Sequence, residues 1–235
     1  MERVFNFWNK GYYTESLLIL VLCYSLFISI KNNGKFAILN WFPYYTASLL
    51  IVTLSRNVYV FLFPLERRKQ TVRIDHFIDH IFTLVEIIIL GNFFMKIMVD
   101  VKKKRIIRMT ILLFVMFFIY GLRFSLISLK DINRVGINMT YTAEAIVLIF
   151  FCSLYFHQIF KSEPTLRLTN EPSFWVSTGV LFFMCGSLPY SLLENYLINK
   201  YFEMGLKLYA IFYFFYVLFF LLIVRAYLCT PNKNI

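Results

Sequence analysis

Charge is scarce in this chain of 235 residues: Asp, Glu, Lys and Arg make up 16% of it, against about a quarter in soluble domains. A water-facing surface cannot be assembled from so few charged groups when 60% of the residues are hydrophobic and 28 Phe and 16 Tyr help bring the aromatic share to 20%. The four cysteines, Cys23, Cys152, Cys185 and Cys229, lie within or at the ends of apolar runs, where a thiol is a small hydrophobe and not half of a disulfide framework. Soluble enzymes, disulfide scaffolds, disordered tails and nucleic-acid modules are thereby disfavoured, the last in spite of a net charge of +11.

What the chain does have is long apolar runs. Seven spans of ~20 residues need ~140 positions, close to the hydrophobic content. Only helices and closed barrels satisfy the backbone in lipid, and barrel strands are ~10 residues of alternating polarity. The runs here are longer and unbroken: 11–30, 36–63, 74–98, 106–125, 140–160, 172–197 and 204–228. Short connections such as Lys31-Asn32-Asn33-Gly34-Lys35 make successive helices antiparallel neighbours. The expected fold is all-α, a single-domain polytopic bundle of seven transmembrane helices over 1–235, with termini on opposite faces. No small-residue cleavage site follows Ile30, so the first span is expected to be retained. No internal repeat of the transporter kind is visible.

The Lys and Arg residues divide almost evenly between the two sides of such a bundle. The densest cluster, Lys102-Lys103-Lys104-Arg105 with Arg108, places the third connection in the cytoplasm, hence N-out and C-in. The same cluster suits contact with anionic lipid headgroups.

Ionisable groups inside spans cost several kcal/mol unless paired or hydrated. Here they gather on the side of the bilayer where the chain begins, called below the first end. Glu15, Asp75, Asp79, Glu86, Glu144 and Glu194 supply six carboxylates there against the two guanidinium groups of Arg56 and Arg123. In the third span, Asp75, His76, Asp79, His80, Thr83 and Glu86 fall within about 140° of arc on one helical face, and the opposite arc is apolar. Glu86 lies ~18 Å along the helix from Ile74, near mid-bilayer. This stripe, with Arg56, Glu144 and Glu194, is the expected ligand site. Two outcomes fit: an ion-pair network that fixes helix register, or a hydrated pocket open to the first end.

His76 and His80 are spaced i, i+4, as in metal sites. His157, the third histidine, belongs to the other side of the bilayer, so a three-histidine zinc site is excluded, and neither metal, cofactor nor catalytic residue is expected. Span 7 has Lys207 only at its mouth and Arg225 at its far end, which excludes a retinal Schiff base. Gly186-Ser187-Leu188-Pro189 is expected to interrupt the sixth helix as a hinge or pocket wall. The aromatic run from Tyr209 to Phe220 reads as lipid-facing and packing surface.

Three stretches resemble a group of small seven-helix bacterial membrane proteins: Asp79-His80-Ile81-Phe82-Thr83-Leu84-Val85-Glu86, Tyr141-Thr142-Ala143-Glu144-Ala145-Ile146 with Leu154-Tyr155-Phe156, and Pro172-Ser173-Phe174-Trp175-Val176 with Thr178-Gly179. The resemblance implies seven spans and a bacterial inner-membrane location, and no activity. Seven helices and one His-x-x-x-His are also faintly similar to the alkaline ceramidase and adiponectin-receptor superfamily, whose third metal histidine and serine pattern are missing.

The expected function is that of a receptor-like sensor binding a small polar or cationic ligand in the acidic pocket. Its loops are too short for a signalling enzyme, so output requires a separate signalling partner, met through the Lys102–Arg108 connection and the C-terminal tail. The alternatives are a proton-linked or cation transporter relaying through Asp79, Glu86 and Glu144, and a metal-dependent hydrolase at His76, His80 and Asp79.

Overall fold

The computed structural model describes the backbone of residues 2–62, 68–127, 134–161 and 168–229. Side chains are described within these ranges except at 2–14, 56, 59–62, 68–79, 122–127, 134–138, 194–195, 198–199, 202 and 206. Among the described residues there is no strand, and seven helices follow one another: α1 (Glu2–Lys31), α2 (Phe42–Leu62), α3 (Arg68–Ile97), α4 (Val101–Ile127), α5 (Arg134–Lys161), α6 (Pro172–Lys200) and α7 (Phe202–Tyr227). Each packs on its chain neighbour, α7 returns to α1, and α3 also reaches α5.

Five segments, 37–55, 80–97, 139–161, 172–193 and 203–227, are long and apolar enough to cross a membrane. The chain is therefore read as an integral membrane protein. Among the described residues α1 and α4 do not meet that standard. The first turns of α4 carry Lys102, Lys103, Lys104, Arg105 and Arg108, and α1 side chains are described only from Glu15. Large apolar side chains stand exposed on every helix, including Leu112, Leu113 and Met116 on α4, as a hydrocarbon-facing surface requires.

Several helices outrun the apolar stretches. α3 begins at Arg68 and α5 at Arg134, because a helix keeps its backbone hydrogen-bonded while leaving the hydrocarbon, and Arg and Lys are good helix formers there. α2 departs the other way. Residues 37–39 form a single 3-10 turn, and the helix starts at Phe42 with Pro43 in its first turn, where the missing N–H has no intrahelical partner to lose. Gly34 supplies the positive φ (85°) of the turn after α1. Asp100 caps α4, its side chain accepting the Lys102 N–H at 2.8 Å.

The expected interruption at Pro189 is absent: α6 runs through it as one helix, with Pro189 on its exposed side. Gly186 serves a different purpose, since a Cβ there would collide with the Phe215 ring of α7. At Gly179, two turns earlier, a Cβ would come within 3.0 Å of Phe219. Between them Phe183 stacks on Tyr216 at 4.5 Å and on Phe219 at 5.7 Å. Small residues let the two backbones approach and the rings interleave. Several helix hydroxyls are satisfied locally, as where Thr46, Thr53 and Thr178 donate to the carbonyls of Phe42, Leu49 and Phe174.

Candidate functional site

The described part of the α3 polar stripe, His80, Thr83 and Glu86, points inward, as its periodicity predicts. His80, Thr83 and Glu86 are between 1 and 6% exposed, while Ile81 and Ile88 on the other arc are over 40% exposed. Across from them α5 contributes Thr140 and Glu144, both buried. His80 Nδ1 lies 3.2 Å from Thr140 Oγ1, and its ring meets Phe118 of α4 edge-on at 5.9 Å. From α2 the Tyr45 hydroxyl donates to Glu86 Oε1 at 2.8 Å. Glu86 and Glu144 are close enough for their charges to interact. Glu144 Oε1 is buried and makes no hydrogen bond among the described residues. Four of the expected site residues, His80, Thr83, Glu86 and Glu144, are thus buried where α3 and α5 pack together. The side chains of Arg56, Asp75, His76, Asp79 and Glu194 lie outside the described residues, and so does the expected pairing of Arg56 with the acids.

The rest of the cluster is tyrosine. Of the α7 aromatic run expected as lipid-facing and packing surface, Tyr213, Tyr216, Phe219 and Phe220 are buried while Ile211 and Phe214 face outward. On α7, Tyr209, Tyr213 and Tyr216 follow i, i+4, i+7 and so share one face. The hydroxyls of Tyr209 and Tyr213 lie 3.0 and 3.3 Å from Oε1 of Glu15 on α1, and 3.1 Å from each other. Tyr216 is within electrostatic range of Glu86, Tyr213 and Tyr45. The signal that would have found them is chemical. A phenol hydroxyl needs a partner when buried and gains none from acyl chains, so three at helical spacing belong inside.

The second end of the bundle is built differently. Tyr227 donates to the Leu39 carbonyl at 2.8 Å, and Lys35 donates to the Tyr227 carbonyl at 3.3 Å. Trp175 donates to the Thr169 carbonyl at 2.8 Å while the Arg225 guanidinium lies 5.4 Å from the centre of its ring. Gln158 ties α5 to the α3–α4 junction by bonding both the Ile97 carbonyl and the Val99 N–H. His157 is exposed in this half, far along α5 from the acidic cluster. In the basic connection Lys102, Arg105 and Arg108 are exposed, and Lys103 donates to the Leu154 carbonyl at 3.3 Å.

Among the described residues no three His, Cys, Asp or Glu side chains are grouped to hold a metal ion. The chain matches no family model, no curated protein and no solved structure.

Proposed function

We propose that this chain is a seven-span protein of a bacterial inner membrane, oriented N-out and C-in, and that it is a receptor-like sensor for a small cation held at Glu86 and Glu144. The observation that carries this reading is the buried Glu144 carboxyl, with one oxygen free of hydrogen bonds among the described residues and a second carboxyl, Glu86, in electrostatic range. Two buried carboxyl groups within electrostatic range of each other in a membrane interior are stable only if protons or a cation offset their charge. Both carboxyls are buried, which favours a small ligand, a monovalent metal ion or a primary ammonium. The rings of Tyr45 and Tyr216 are covered by Phe82, Phe220 and Phe183. Recognition therefore falls to carboxyl and hydroxyl oxygens and not to aromatic faces, which argues against quaternary ammonium.

Sensing is set ahead of transport because no internal repeat of the transporter kind is visible in the sequence. Output passes to a separate partner through the Lys102–Arg108 connection, whose exposed Lys102 and Arg105, with Lys103 and Lys104, also engage anionic headgroups. The test is thermal unfolding of the purified protein in detergent against sodium, potassium, ammonium and methylammonium salts at constant ionic strength. At least one should raise Tm in the wild type and not in Glu144→Gln. Equal responses in both proteins refute the site, and flux of the active cation into proteoliposomes would replace sensing by transport.

A further inference from the structure

The two buried carboxyls of the site are held differently. His80 Nδ1 meets Thr140 Oγ1 at 3.2 Å towards one end of the α3–α5 contact, and Gln158 bonds the Ile97 carbonyl at 3.3 Å towards the other. The two helices therefore run in the same direction with an offset of 60 to 61 residues, which leaves Glu144 only ~3 Å from Glu86 in depth. Glu144 Oε1 makes no hydrogen bond among the described residues. Glu86 Oε1, by contrast, accepts the Tyr45 hydroxyl at 2.8 Å, and that donor is clamped. Tyr45 is fully buried. Its ring stacks on Phe82 at 5.7 Å and on Phe220 at 6.0 Å, while Phe42 and Phe219 meet it edge-on. Four rings from α2, α3 and α7 thus fix the plane of the phenol, and with it the point from which its proton is offered. Satisfying a buried acid takes a donor; it does not take a donor with a fixed plane.

We infer that Tyr45 is a positioning residue that sets the specificity of this site: its clamped hydroxyl holds Glu86 as a fixed oxygen reference, against which Glu144 closes on a cation of one preferred size. The inference rests on the cation reading of the pair and adds what makes the pair selective. Sodium, potassium and ammonium carry the same charge and differ in radius and in whether they have protons to donate. Two carboxyls that both rotate freely follow any of them and discriminate poorly. A carboxyl with one oxygen pinned offers a preset distance and direction, so a cation of the wrong size must strain the Tyr45 bond or give up a contact. The phenol oxygen keeps lone pairs while its proton is donated, which makes it a neutral oxygen beside the two carboxyls. Tyr209 and Tyr213 have no such part, because their hydroxyls are committed to Glu15 on α1.

The test is a titration of the intact detergent-solubilised protein with sodium, potassium, ammonium and methylammonium chlorides at constant ionic strength, with apparent affinities taken from the rise in Tm and compared as ratios. The wild type should prefer one of these cations by roughly tenfold, the worth of one hydrogen bond. Tyr45→Phe keeps the stacked ring and removes only the hydroxyl, and it should bring the affinities close to one another. Phe220→Leu keeps the hydroxyl and loosens the clamp; it should narrow the same ratios, and it serves where Tyr45→Phe does not fold. Tyr155→Phe removes a likewise buried hydroxyl, bonded to Ser173 at 3.1 Å in the second half of the bundle. It should lower Tm and leave every ratio alone. Wild-type ratios in folded Tyr45→Phe or Phe220→Leu, a uniform loss of affinity with the ratios kept, or equal affinities in the wild type would each overturn the role of Tyr45 and leave the cation site standing. A wild type whose Tm responds to none of the four salts removes both.

Discussion

The two ends of this bundle use polar groups for opposite purposes. At the second end several bonds between elements run from a side chain to a backbone group near a helix terminus or loop, Tyr227 to Leu39, Trp175 to Thr169, Gln158 to Ile97 and Val99, beside one buried hydroxyl pair, Tyr155 with Ser173. Such bonds satisfy groups that would otherwise be costly to bury. In the first half the contacts run from side chain to side chain, hydroxyl to carboxyl, and bring ionisable groups into the interior that the backbone does not need. The second-end bonds contribute to stability, whereas burying the carboxyl cluster costs free energy unless its charge is offset.

That contrast breaks most severely where both halves depend on the same packing. Gly186→Leu drives a side chain into Phe215 and separates α6 from α7. It should cost about 3 kcal/mol or more, read as a lower midpoint of equilibrium unfolding in mixed micelles, and should abolish cation-dependent protection as well. Tyr227→Phe confines the damage to the second end. It leaves the Leu39 carbonyl without its donor and should cost about 2 kcal/mol while the cation response in Tm persists. Trp175→Phe removes the bond to Thr169 and weakens the stacking of Arg225. A loss of about 1 kcal/mol is expected, measured in the same unfolding assay, again with the cation response intact. If either of these last two variants lost that response, the two ends would not be separable.

The inward stripe of α3 was legible because charge and period coincide: His80, Thr83 and Glu86 recur on one arc, and no apolar reading accounts for them. Glu144 was legible for the same reason. The tyrosines of α7 were not, because by composition they count as hydrophobic and their helix is apolar enough to pass as a lipid-facing span. Glu15 was visible as a buried acid, but its partners Tyr209 and Tyr213 are on α7, nearly two hundred residues away, and pairing at that distance has no local signal. α3 and α5 extend beyond their apolar runs at the first end because hydrophobicity marks the hydrocarbon and not the helix. Pro189 misled because a proline on the exposed side of α6 need not break a helix that Gly186 already presses against α7.

The smallest expected effect is also the most direct test. Glu144→Gln keeps shape and hydrogen-bonding capacity and removes one buried charge site. Equilibrium unfolding of this variant in mixed micelles, without added ligand, should give a stability equal to or above that of the wild type, with cation-dependent protection gone. A loss of about 3–5 kcal/mol, the usual cost of removing one partner of a buried ion pair, would show that Glu144 is structural glue and contradict the account.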